Sequence, residues 1–183
     1  MSEIVASYDV RVSGLWNTTH TFSKEGAPVG VLRVRRKAPG IVVGGEFTPE
    51  KGECLVLRRD PGLLRSQFSL WTDNREWLGS ALRWSFLGRE VVLHTGSKPL
   101  RMLPTPRPGF GWTLQAPRTG EMARVLGRPL GRRRRVEVTR KVDFELVVFA
   151  YFLGVQILPE SWLSGPSLEA LLPPSAPAEP SST

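Results

Sequence analysis

The chain holds one cysteine, Cys54, two histidines, His20 and His94, and only five lysines among its 25 basic residues. A single cysteine excludes an internal disulfide framework and a multi-cysteine zinc site, and it suits a reducing compartment. Cys54 falls in ECLVLRR (53–59), a strand-like run, where a buried and inert thiol is expected rather than one half of a Cys–His nucleophilic pair. His94 closes REVVLHT (89–95) and reads as structural or exposed. No G-x-S-x-G, H-E-x-x-H, Walker loop or dinucleotide G-x-G-x-x-G occurs, so no cofactor is expected, no metal site is expected, and the chain reads as a non-enzyme. The GFG at 109–111 has no helix after it and reads as a hairpin turn. The first ten residues, MSEIVASYDV, lack a basic leader and a long apolar run, and so do not read as a secretory signal.

What is present is positive charge, supplied mainly by arginine. The net charge is +8, and residues 159–183 contain Glu160, Glu169 and Glu179 without Lys or Arg, so residues 1–158 carry +11. Such a body attracts polyanions: an anionic membrane surface, a phosphorylated ligand or nucleic acid. The competing explanation is genomic base composition, since Leu, Gly and Pro are abundant alongside Arg.

Most of the chain reads as short strands bounded by Gly, Pro, Asn or Asp. Eleven are legible, at 4–12, 28–36, 40–47, 53–59, 66–72, 77–88, 89–95, 98–103, 110–116, 120–128 and 132–141. In the sixth, Leu82, Trp84 and Phe86 share one face. The spacing is that of an all-β sandwich or barrel. LPTPRPG (103–109), with Pro104, Pro106 and Pro108 in alternation, is expected to be extended, exposed and outside any strand. PESWLSGPSLEALL (159–172) reads as a short extension with a helical turn or two, docking Trp162 and Leu163, and PPSAPAEPSST (173–183) as a disordered tail.

VDFELVVFAYFLGVQIL (142–158) is the most hydrophobic run. Asp143 suits an N-cap, Glu145 favours the positive helix end, and Pro159 is the expected stop. Apolar residues cover every face of that helix, so lipid or protein must surround it. Sixteen residues at 1.5 Å each reach about 24 Å, short of a hydrocarbon core of about 30 Å, although the cationic flank RRRRVEVTRK (132–141) would fit a tail anchor. A buried strand would be unusually long. The preferred fold is mainly β: a closed antiparallel barrel of about 11–12 strands, residues 1–158, enclosing a central C-terminal helix at about 143–158.

Many short strands followed by one all-apolar helix resembles the tubby C-terminal-like superfamily, which includes tubby domains, phospholipid scramblases and LURP-one-related proteins. The resemblance is carried by FSLWTDNREWLGSALR (68–83), by its weaker copy GWTLQAPRTGEMARVLGR (111–128), and by VEVTRK followed by the apolar helix. Setting Gly79 against Ala123 aligns the two copies, a weak internal repeat of hairpins. The resemblance implies the enclosed-helix barrel and work at membranes or in partner binding. Tubby domains bind phosphoinositide headgroups through surface Lys and Arg, but no position here matches those residues one by one. The carboxylate-rich calcium segment of animal scramblases is replaced by RRRRVEVTRKVD, which offers only Glu137 and Asp143 where calcium takes six to eight oxygens. The palmitoylated cysteine cluster is absent too, and scramblase activity is the least favoured variant.

The candidate binding residues are therefore the basic clusters. Arg33, Arg35, Arg36 and Lys37 end one strand, Arg58 and Arg59 end another, and Arg132, Arg133, Arg134 and Arg135 open the last. If that last strand begins at Val136, the four arginines form a rim turn with side chains free to converge on an anion. Arginine forks bind phosphate bidentately, and each adds about 1 kcal/mol toward anionic lipid. The alternative is a solubilising rim of dispersed charge. No basic run is interleaved with aromatics in an RNA-reading pattern, so nucleic acid has no motif behind it. The expectation is a cytoplasmic protein, peripheral at the inner face of a membrane, with non-specific nucleic-acid binding through the same rim or a protein-interaction scaffold as the other non-catalytic readings.

Overall fold

The computed structural model describes residues 4–38, 41–60, 66–83, 90–96, 99–105, 111–127 and 131–163, with side chains at 38, 41, 66, 83 and beyond 155 left aside. Twelve strands form one closed antiparallel barrel. They are β1 (Ala6–Ser13), β2 (Thr18–Lys24), β3 (Ala27–Ala38), β4 (Ile41–Pro49), β5 (Leu55–Asp60) and β6 (Ser66–Thr72), then β7 (Trp77–Arg83), β8 (Val91–His94), β9 (Leu100–Pro104), β10 (Gly111–Ala116), β11 (Gly120–Leu126) and β12 (Arg133–Val138). Neighbours in sequence are neighbours in space, and β1 closes the circle on β12. No edge is left unpaired, so the wall needs no edge protection.

Alternation puts one apolar file per strand inside, as in Val10, Phe22, Leu32 and Val34, Leu55 and Leu57, and Val136 and Val138. The strand missing from the sequence reading is β2, TTHTFSK, whose inward residues are Thr18, His20 and Phe22. Its polar composition hides a period of two that only Phe22 advertises. β9 extends through Leu103 and Pro104, contrary to the expectation for that segment, because Pro104 faces Trp112 at the last rung, where a missing N–H is tolerated. Residues 106–109 of that proline run, and Trp84 and Phe86, lie outside the described residues. Cys54 precedes β5 and is half-buried, not inside a strand. His94 is exposed.

The internal repeat is clearer in register than in sequence. In β6–β7 the pairing shifts between Leu70 and Trp71, and in β10–β11 between Leu114 and Gln115. The shifts leave Leu78 and Met122 as bulged extra residues, immediately before the aligned Gly79 and Ala123. A third copy, not legible in the sequence, is β2–β3, where the shift between Phe22 and Ser23 bulges Val29 before Gly30. All three bulged side chains pack against the core. The carbonyls of Val29 and Met122 accept from the backbone N–H of Glu50 and Thr139, each at 2.9 Å. Bulges increase local twist and bend the strand; these three recur every fourth strand around the wall, and β3–β4 carries two further register shifts on either side of Arg36.

The helix α1 (Phe144–Leu163) starts after β12, with the Asp143 carbonyl accepting from Leu146 and Val147 and Glu145 in the first turn. Residues 147–155 are buried on every face. Tyr151 meets His20 and Phe22, Phe152 meets Phe68, and a side chain at Gly154 would strike Met102 and Trp112 at about 3 Å. The walls touched thus include β2, β6, β9 and β10 around the circle. The helix runs past the expected stop, continuing through Pro159 to Leu163 despite the backbone hydrogen bond that proline cannot make. No described helix is long and apolar enough to cross a membrane. The expected docking of Trp162 and Leu163 and the tail at 173–183 lie outside the described residues.

Candidate anion-binding surface

Antiparallel order sends every odd strand's end and every even strand's start to the same rim. β3 and β12 are separated around the wall only by β1 and β2. The two arginine runs, about a hundred residues apart in the chain, therefore meet at one end of the barrel. With a strand spacing of about 4.8 Å, they lie roughly 15 Å apart.

The strand does not begin at Val136. Arg133, Arg134 and Arg135 are already in β12, and only Arg132 precedes it. Period two then divides the eight candidates. Arg33 and Arg35 of β3 and Arg133 and Arg135 of β12 point outward and are exposed, as are Arg132 and Lys37. Arg36 and Arg134 are half-buried and on the inner side. The four consecutive arginines therefore do not converge as a group.

Outside, Arg133 stands directly opposite Arg11 of β1. Two like charges face to face across a ladder are destabilising, and an anion between them would relieve that repulsion. Arg135 pairs instead with Asp9 at 3.2 Å, both side chains being more than half exposed; solvent screening leaves such a pair little weight. Arg11, Arg133 and Arg135 line a shallow groove of about 800 Å³ with Thr21 and Ser23, and the carboxylates of Asp9 and Glu137 line it too. Arg11 was missed in the sequence because it stands alone between Val10 and Val12. Only the β1–β12 register gives it a partner.

Inside, the arginines serve the fold. Arg36 Nη1 donates to the Trp16 carbonyl at 2.9 Å and to Thr18 Oγ1 at 3.1 Å, and its backbone N–H donates to Asn17 Oδ1 at 3.1 Å. Arg134 lies over the Tyr151 ring, 5.9 Å from its centroid. Between them His20, 1% exposed, has Nδ1 2.8 Å from the Tyr151 hydroxyl and Nε2 2.9 Å from Thr18 Oγ1. One ring nitrogen donates and the other accepts. Burial first, then the charges of Arg134 and Arg36, push its pKa down to about 3, so the imidazole is neutral at physiological pH. Burial pushes Tyr151 up to about 12, with Arg134 pulling the other way. Arg36 is lowered by burial and by Arg134. His20 carries no recognisable role in the sequence, since the strand that holds it is not legible there.

Arg59 belongs to the same inner set. It follows Leu55 and Leu57 on the inward file of β5, donates to the Val42 carbonyl at 3.3 Å, and stacks on Phe68 at 5.6 Å. Arg58 is exposed. The opposite rim differs in charge and chemistry: its groove of about 930 Å³ has an apolar lining with Glu53, Asp143 and Glu145 against one Lys141. That groove does not suit an anion. Among the described residues no cluster of three or more His, Cys, Asp or Glu could hold a metal ion. No family model, curated protein or solved structure matches this chain.

Proposed function

We propose that this chain is a non-catalytic binding domain that recognises anionic phospholipid headgroups through its basic rim, at the cytoplasmic face of a membrane. One observation carries the reading. The barrel register brings Arg33, Arg35 and Lys37 to the same end as Arg11, Arg132 and Arg133, all on the solvent side. Six exposed cations on one end of a body with net charge +8 form a field that attracts an anionic surface, at about 1 kcal/mol per residue close to it. Arg36 and Arg134, committed to the interior, contribute to that field without being the contacts.

A tubby C-terminal-like ancestry is part of the proposal. A twelve-stranded closed barrel around one apolar C-terminal helix supports it, as does the hairpin unit that recurs with the same bulge.

Vesicle co-sedimentation tests the binding. Vesicles with 30% phosphatidylserine should retain the protein where phosphatidylcholine vesicles do not. Exchanging Arg11, Arg33, Arg35 and Arg133 for Ser should release it while leaving the circular dichroism unchanged. Equal retention on neutral and acidic vesicles, or retention that survives the four exchanges, overturns the proposal. Nucleic acid is the competing polyanion for the same surface. A mobility shift with duplex DNA at 50 mM salt, without vesicle binding, would favour it instead.

A further inference from the structure

Among the large hydrophobic side chains described, the most exposed is Leu15, at 93%, and its neighbour Trp16 is 49% exposed. Both stand on the β1–β2 connection, at the arginine-bearing rim. Their presentation is built, not incidental. Gly14 turns the chain at φ 85°, and a Cβ there would lie 2.5 Å from the Asn17 carbonyl oxygen, so no other residue fits the turn unchanged. Arg36 then clamps the far side of the loop through the Trp16 carbonyl, the Asn17 side chain and Thr18. A loop held by these bonds thus keeps a leucine and half of an indole in water, although burying either would be favourable.

The charges beside this tip decide what covers it. The Arg132 carbonyl accepts from Val12 N–H at 2.8 Å, which sets the start of β12 alongside the loop. Arg132 and Arg133 on one flank and Lys37 on the other are exposed. An apolar tip ringed by cations matches a bilayer interface, where tryptophan sits at headgroup level and arginine meets phosphate. A protein partner would need a socket with acidic walls, whereas an anionic bilayer offers apolar depth and negative charge together.

We propose that Leu15 and Trp16 form a membrane-inserting tip, which enters the interface of an anionic bilayer and docks the barrel end-on. This rests on the headgroup reading above and adds a depth component to it. The arginines supply a salt-sensitive attraction, while the tip supplies one that salt does not screen.

The test uses vesicles of brominated phosphatidylcholine with 30% phosphatidylserine, which quench tryptophans that enter the bilayer. The wild-type chain has six tryptophans, so the difference between variants is read. Trp16→Phe should abolish most of the quenching. Trp77→Phe, removing a 41% exposed tryptophan at the opposite rim, should leave it intact. The Leu15→Ser/Trp16→Ser double variant should lower vesicle partitioning on the order of tenfold, and the loss should persist at 0.5 M NaCl. Quenching that survives Trp16→Phe, or partitioning unchanged in the double variant, overturns the tip. So does a double variant that binds vesicles normally but loses a self-associated species in size-exclusion chromatography, which would make the tip a contact between copies. A wild-type chain that ignores anionic vesicles fails the headgroup reading first, and is recognised by the absence of any salt-dependent binding.

Discussion

Consecutive arginines in a strand cannot all do the same thing, because each successive side chain leaves the opposite face of the wall. Arg134 and Arg36 stand inside and Arg133 and Arg35 outside, and the two kinds should separate in experiment. Arg36→Ala strips partners from Trp16, Asn17 and Thr18, and should lower unfolding free energy in urea by about 1–2 kcal/mol. Arg35→Ala should stay within about 0.5 kcal/mol while weakening vesicle binding. Equal stability losses at both positions would contradict the division. His20 predicts a pH dependence. Its pKa in the folded state is lowered to about 3 from an ordinary 6.5. Below pH 6.5 the unfolded chain takes up a proton there that the folded barrel refuses, so stability falls as pH drops from 6.5 toward 3. The slope from this group reaches about 1.4 kcal/mol per pH unit, and it vanishes above 6.5. Urea midpoints between pH 7 and pH 4.5 should fall less steeply in His20→Gln than in the parent.

The helix and the hairpins carry the next level. α1 has no polar face because strands cover its whole circumference between Val147 and Val155. Phe152→Ala, which vacates the contact with Phe68, should cost about 3–5 kcal/mol. Gly154→Val should cost about 1–3 kcal/mol by overpacking, since Met102 and Trp112 already stand where its Cβ would go. Thermal unfolding checks both, and a neutral Gly154→Val would mean that the wall yields there. This helix was legible from its apolar circumference and from Asp143, but its end was not. Pro159 reads as a stop from local rules, yet the helix continues through it to Leu163. The two legible hairpin copies announced themselves through Trp, Gly and Leu. The third, on β2–β3, was hidden because its sequence shares only the small Gly30 and the bulge position with the others.

For the whole molecule, the ends of the barrel differ in charge. One rim exposes Arg35, Lys37, Arg132 and Arg133, and the other places Glu53, Asp143 and Glu145 around its groove. This asymmetry predicts orientation as well as affinity. Raising NaCl from 0.05 to 0.5 M should weaken binding to phosphatidylserine vesicles severalfold, since the Debye length falls below about 5 Å and exposed arginines are screened. Exchanging Glu53 and Glu145 for Gln should leave vesicle binding within about twofold, because end-on docking through the arginine rim, as proposed, would turn that rim away from the surface. A large change in the second experiment would point to side-on docking.

By itself, the sequence determined the class of architecture. Period-two alternation names strands, and an apolar segment too short for a bilayer must be enclosed, so a closed wall around a helix follows from local patterns and from burial. It also determined that the body is basic. Tertiary structure alone decided which arginines face water, that Arg11 joins them, and that Leu15 and Trp16 stand beside them. Those facts depend on register: a one-residue shift in β12 would exchange Arg133 and Arg134 between outside and inside. Register is set by hydrogen-bonded neighbours more than a hundred residues away, as in Arg11 with Arg133. No local pattern in the chain encodes that pairing.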